Sequence, residues 1–397
     1  MKKIIGILLC VFLTLSMAAC QLPDDSAIQE TPTPTVPSTN AGTEEDTPLH
    51  TFYGLSVPSN VQFLYHDEVT VLFEYVYQHI QMQIADQNVS EKITLDFLTR
   101  VDNTRANADI IAQQAESNYT GSATWSPYKY HILYSPTRVD QSIISLFGTR
   151  TTYTGGLHPD QSCSAVTYDA ANGENLTLGS ILNHVDNKKD ICNLVLNKLE
   201  KVDYQYSLFE GYEDVVTERF QLDESTDEAF YFTNTGLCFY FAPYELAPFS
   251  SGIITVEIPY NELPGILNDA YFPDEYQPST GTLIAVDAET VDTTMFNQLM
   301  DVTLDPYGEQ VLFYSDKTVR NLTVTCGNWT PDGLYFLPEH VIFRATGVSA
   351  DKAVSIRMTI PEALPNLMVS YDTVNGTNSF YISRSGLDNS IILLPTE

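Results

Sequence analysis

The chain has 397 residues, 43% of them hydrophobic, and carries 19 basic against 51 acidic side chains for a net charge of -32. That balance excludes nucleic acid as a partner, since phosphate binding depends on clustered Lys and Arg, and it suits a cationic partner drawn in by long-range attraction. The apolar content is enough for a sizeable core, and at about 150 residues per domain two or three units are expected.

Met1-Lys2-Lys3, an apolar run from Ile4 to Leu15 and the close Met17-Ala18-Ala19-Cys20 form a charged n-region, an h-region and a cleavage site. The order resembles a bacterial lipoprotein signal, with residues 1–19 removed and a diacylglycerol placed on Cys20. The apolar run is shorter than the ~20 residues a membrane span requires. Buried acyl chains contribute about 0.8 kcal/mol per CH2, so the expectation is a protein held by lipid at the outer face of the cell membrane. Residues 20–50, with Thr31-Pro-Thr-Pro-Thr-Val-Pro37 at their centre, hold hardly a large apolar side chain. They read as a disordered stalk.

Val69 to Met82 predicts one or two strands. Ser90 offers an N-cap for a helix whose apolar or small face runs through Ile93, Phe97, Val101, Thr104, Ala108, Ile111 and Ala115. Strand chemistry returns over Tyr128–Tyr134, Ser142–Tyr153 and Cys163–Tyr168, with a turn at Gly155-Gly156. Ile191, Leu194, Val195, Lys198 and Leu199 predict a second helix after the cap residue Asp186. Phe230–Thr233 and Leu237–Phe241 flank a short glycine-containing loop and read as a hairpin, followed by a half-buried strand over Ile254–Ile258. Pro273 to Thr280 has no periodicity and places a boundary near residue 277. Beyond it, short alternating segments such as Val354–Ile360 predict a small all-β sandwich or barrel.

Cys163, Cys192, Cys238 and Cys326 remain once the leader and Cys20 are set aside. None stands in a C-x-x-C or histidine-bearing ligand spacing, so no metal and no cofactor is expected. Four are too few to frame a domain of this size, and buried, unpaired thiols are expected.

Tyr153-Thr-Gly-Gly-Leu-His-Pro159, Tyr168-Asp169 with Gly173, Phe230-Tyr-Phe-Thr233 and Gly236-Leu-Cys-Phe-Tyr-Phe-Ala-Pro-Tyr-Glu-Leu-Ala-Pro248 together resemble the extracellular domain of the RsiV anti-sigma factors. Residues 61–150 are similar to the non-catalytic region shared with the peptidoglycan deacetylase PdaC. The resemblance implies an α+β head with helices packed on antiparallel sheets, in a bacterial envelope protein, and in RsiV that head binds lysozyme. The chain shows neither a sigma-binding segment with a spanning helix nor the deacetylase domain. The expected organisation is therefore a leader (1–19), a stalk (20–50), a PdaC-like domain (51–150), an RsiV-like domain (151–276) and a C-terminal β-rich domain (277–397).

His158, beside a glycine turn, is the most tempting catalytic residue, because histidine is the commonest general acid or base, but the local sequence offers it no nucleophile. Its simpler role is to bond a backbone group and fix the turn. Ser126-Pro-Tyr-Lys129 fits S-x-x-K without the companion motifs that give that pattern meaning. Asp223, Glu224, Asp227 and Glu228 lack calcium-loop spacing. No catalytic residue is assigned. His158, Tyr244, Glu245 and Phe249 are instead candidate contacts for a protein ligand, with Glu245 open to a cationic partner, because prolines around the aromatics restrict their loop. A surface lipoprotein that captures lysozyme or another basic protein is the expected function. The alternative is a peptidoglycan-binding accessory in which some of the 24 tyrosines stack on glycan.

Overall fold

The computed structural model describes residues 52–221, 229–274, 278–361 and 364–396. The leader, Cys20, the stalk, the acidic group Asp223, Glu224, Asp227 and Glu228, and the boundary residue 277 lie outside them.

The chain enters through β1 (Gly54–Ser56), β2 (Ser59–Tyr65), β3 (Val71–Gln78) and β4 (Gln81–Gln83), followed by the 32-residue α1 (Gln87–Asn118). α1 starts a turn earlier than Ser90 suggests. Asp86 is the N-cap, its carboxylate accepting from the Asn88 amide at 2.8 Å, and a charged acceptor there also complements the positive end of the helix. The predicted face is buried at Ile93, Phe97, Val101, Ala108, Ile111 and Ala115. Thr104 stands half-buried in that stripe, its hydroxyl donating to Val101 O at 2.6 Å.

β5 (Tyr128–Val139), β6 (Ile143–Tyr153) and β7 (Asp160–Asp169) complete a five-stranded sheet of order β2-β3-β5-β6-β7. β3 and β5 run parallel, which needs a long crossover, and α1 supplies it. The sheet and α1 share one core, in which Phe97 meets Tyr134 edge to face at 4.9 Å. Gln78 ends β3 fully buried yet satisfied: its Oε1 accepts from the Tyr134 amide and its Nε2 donates to Ser59 Oγ at 3.3 Å.

His79 follows, half-buried, with Nδ1 3.0 Å from Asn60 Nδ2. Burial pulls its pKa below the ordinary 6.5. The fold therefore favours the neutral ring, and that share of stability is present above about pH 6.5 and lost as pH falls toward the folded pKa. In His79→Gln, the drop in urea midpoint between about pH 7 and pH 5.5 is expected to be smaller than in the parent. Equal drops would remove His79 as a source of the dependence.

The middle of the chain builds α2 (Leu178–Ile181), α3 (Asn187–Tyr206), α4 (Tyr212–Gln221) and a three-stranded antiparallel sheet of β8 (Phe230–Phe232), β9 (Gly236–Phe241) and β10 (Ile254–Pro259). Ile191, Val195 and Leu199 of α3 and Val216 and Phe220 of α4 bury against Phe230, Phe239 and Val256 of that sheet. Lys198 keeps its amine outside this face and pairs it with Glu262 at 2.5 Å. The sheet's other face meets the first sheet, where Phe147 packs on Tyr231 and Tyr240.

The last third forms β11 (Ile284–Asp287), β12 (Gln298–Thr303), β13 (Glu309–Tyr314), β14 (Val319–Trp329), β15 (Phe336–Val348), β16 (Lys352–Met358), β17 (Leu367–Thr373), β18 (Gly376–Arg384) and β19 (Ile391–Pro395). Two open sheets result, of order β11-β13-β16-β12 and β19-β18-β17-β14-β15-β1-β4. Val311, Phe313, Val354 and Ile356 of the smaller face Val324, Phe343, Val369 and Tyr371 of the larger across a shared core. This is the sandwich of the two expected forms, and no closed barrel is present among the described residues. The whole is a mixed α+β fold of mainly antiparallel sheets.

Two features tie the thirds together. β1 and β4, first in sequence, complete the C-terminal sheet, with Gly54, Leu55 and Ser56 opposite Ala345, Arg344 and Phe343 of β15. Arg138 at the end of β5 is 1% exposed and reaches into the middle unit. Its Nε meets Asp140 at 2.5 Å, and its Nη1 donates to the Tyr260 hydroxyl and to Tyr271 O, each at 2.7 Å.

Candidate functional site

The loop Thr154–Pro159 between β6 and β7 turns through Gly155, whose φ of +91° L side chains resist, and it leaves Leu157 fully exposed. The loop after β9 begins at Ala242, and the chain then winds a single 3-10 turn over Phe249–Ser251 before β10. Leu246 and Ala247 are buried anchors of this second loop, and Leu246 O accepts from the Phe209 amide at 2.8 Å. Tyr244 has a φ of +71°, a region costly for a residue with a Cβ. Its amide donates to Ala247 O at 3.1 Å, which closes the turn.

The two loops meet at the surface. The His158 ring stacks on Phe249 with centroids 4.0 Å apart and planes at 23°. Tyr244 leans over both, its hydroxyl 3.4 Å from His158 Nε2 and its ring 5.6 Å from that of Phe249. Tyr244 remains 58% exposed, so its face is open to a partner. His158 Nδ1 lies 3.1 Å from Pro159 O, the backbone bond that fixes the turn. Three of the four predicted contact residues thus form one aromatic patch, although His158 and Tyr244 are 86 positions apart.

Glu245 differs from expectation. Its Oε1 accepts from Arg219 Nη1 at 2.7 Å and its Oε2 from the Ala242 amide at 2.9 Å, so both oxygens are engaged within the chain. Arg219 comes from α4, also donates to Tyr240 O at 2.9 Å, and lies over the rings of Tyr240 and Phe241. The carboxylate therefore fixes the loop rather than offering a free anion. Neither Arg219 nor α4 was read from the sequence; Val216 and Phe220, one helical turn apart and both buried, carried the signal.

The four described thiols are unpaired. Burial pushes Cys163, Cys238 and Cys326 up to about 12, which keeps them protonated at neutral pH. Spacing along the chain concealed one relation: Cys326 stands opposite His340 across the β14–β15 pair.

Residues 181–261 match the family model described as "Protein of unknown function (DUF3298)". None of the curated proteins compared with the chain matches it. Among solved structures, a DUF3298 family member from Bacteroides fragilis is 18% identical, with a TM-score of 0.39 over 56% of this chain and 95% of that one. A DUF3298 family protein from Pseudomonas aeruginosa is 15% identical, with a TM-score of 0.38 over 58% of this chain and 99% of that one. The matched segment runs from the end of α2 past β10 and holds Arg219, Tyr244, Glu245 and Phe249. Over residues 181–261 the chain is therefore similar to the DUF3298 family.

Proposed function

We propose that the chain is a non-catalytic binding module, held at the outer face of the cell membrane by lipid on Cys20, which captures a cationic protein through Leu157, His158, Tyr244 and Phe249. The observation that carries this reading is the meeting of two distant loops in one exposed aromatic patch. The Arg219–Glu245 pair and the buried Leu246 and Ala247 hold the second loop in place, so little ordering entropy remains to oppose binding. Rigid aromatics of this kind dominate interface energetics. With Glu245 engaged internally, attraction for a basic partner rests on the net charge of -32. Lysozyme is such a partner, in keeping with the RsiV-like motif order that includes His158 and Tyr244.

The test is lysozyme binding to the full chain across a salt series, with Tyr244→Ala and Phe249→Ala beside it. The parent complex is expected to weaken as salt rises. Each variant is expected to lose at least about 30-fold in affinity, the equivalent of a hot spot of about 2 kcal/mol, with an unchanged circular dichroism spectrum. No complex at low salt would remove lysozyme as the ligand. A complex indifferent to both substitutions would move the contact elsewhere. Retention on insoluble peptidoglycan without lysozyme binding would favour the glycan alternative.

A further inference from the structure

Cys326, Glu339 and His340 each bring one ligand atom to within 4.8 Å of the others, in a sheet far in sequence from the aromatic patch. Cys326 and His340 are cross-strand partners on β14 and β15, and such partners project from the same face. Adjacent residues of a regular strand would send Glu339 to the opposite face. The pairing slips here: Cys326 is opposite His340 but Gly327 is opposite Pro338, so Glu339 is the extra residue of a β-bulge. Bulges re-aim side chains in this way and concentrate beside functional sites. Gly327 makes the slip feasible, since a Cβ there would run into Leu337 O.

We propose that this bulge is a binding site for a single zinc-class divalent ion, with Cys326 Sγ, a His340 ring nitrogen and a Glu339 carboxylate oxygen as ligands. Thiolate, imidazole and carboxylate are the donors zinc uses, at about 2.3, 2.0–2.1 and 2.0–2.2 Å. A tetrahedral ion bound at those lengths separates its ligand atoms by about 3.4–3.6 Å. Cys326 Sγ already lies 3.2 Å from His340 Nδ1 and 3.3 Å from Nε2. Because the sulfur faces both nitrogens almost equally, binding turns the imidazole until one nitrogen points at the ion, and Glu339 closes by rotation of its long side chain. Asn328 Nδ2 donates to Glu339 Oε1 at 2.6 Å, an outer partner of the kind that orients ligating carboxylates. Three protein ligands leave the fourth position for water or an external donor, as in reactive rather than closed structural zinc sites. The ion displaces the thiol proton to solvent when the Sγ bond forms.

Titrating the full-length protein with Co(II) tests the site. One equivalent is expected to raise a thiolate-to-cobalt charge-transfer band that Zn(II) abolishes. Cys326→Ser should lose the band outright. His340→Ala should weaken binding beyond the about 10–100-fold expected of the outer-partner variant Asn328→Ala. No band in the parent, or a band that survives Cys326→Ser and so belongs to another cysteine, overturns the proposal. A measurement on the parent alone guards against a misfolded variant. Zn(II) should protect the Cys326 peptide from iodoacetamide while leaving labelling of the Cys163, Cys192 and Cys238 peptides unchanged, and equal Cys326 labelling with and without Zn(II) also overturns it.

Discussion

Arg138→Ala is expected to cost about 3–5 kcal/mol of unfolding free energy, within the range for truncating a large buried side chain and with the loss of its hydrogen bonds added. The guanidinium is 1% exposed and holds together groups from three segments: Asp140 beside it, the Tyr260 hydroxyl beyond β10, and the Tyr271 carbonyl. It also lies over the rings of Phe232 and Tyr260, at 5.7 and 5.5 Å from their centroids. Truncation leaves Tyr271 O without that donor and opens a cavity among aromatics, two separate penalties. Asp140 is not orphaned, because its Oδ1 accepts from the Ser142 and Ile143 amides at 2.8 and 2.9 Å. Arg138→Met fills most of the volume and should lose less than Arg138→Ala, since it leaves a smaller cavity among the aromatics. Urea unfolding of the two variants separates the contributions. A loss under about 1 kcal/mol for Arg138→Ala would place Arg138 among ordinary surface pairs.

What the sequence revealed depended on how far each signal reached along the chain. The α1 stripe was readable because its seven positions repeat at helical spacing, and the β8–β9 hairpin because Gly236 punctuates two aromatic runs. The Asp86 cap is hidden in the sequence because Ser90, also a good capping residue, lies closer to the first stripe residue. β1 and β4 have three residues each, too few to show a period, and β15, the partner of β1, lies more than 280 positions away. The aromatic patch was legible as a list of residues, since loop composition marks exposed aromatics. Its geometry was not, because the His158–Phe249 stack and the engagement of Glu245 by Arg219 arise from contacts between separate elements. Cys326 and His340 were concealed for the same reason: ligand spacing is usually sought along one segment, and here a hairpin and a bulge supply it.

Ending the chain at residue 276 is expected to damage the part that remains, although the composition shift there reads as a domain boundary. β1 would lose β15, its neighbour on one side, and with it the bond in which the Tyr53 amide donates to Thr346 Oγ1 at 3.0 Å. β5 would lose the contacts at Ser135 and Pro136, which accept from Val341 N at 3.2 Å and Arg344 Nε at 3.1 Å. Phe52, 3% exposed, belongs to the C-terminal core, whereas Leu55 and Val57 belong to the first. Removing residues 277–397 therefore exposes Phe52 outright and leaves Leu55 and Val57 on an unsupported edge. At about 1.5–3 kcal/mol for each fully exposed apolar side chain, the loss is about 3–6 kcal/mol if two of the three become solvated. With about 2–4 °C per kcal/mol for a domain of this size, fragment 52–276 should melt about 6–24 °C below the same segment in the full chain. Differential scanning calorimetry measures this directly. The open β1–β4 edge should also promote self-association on concentration, visible by light scattering. A monodisperse fragment that melts with the parent would mean that the first two units fold independently of the C-terminal sheet and that β1 contributes little to their stability.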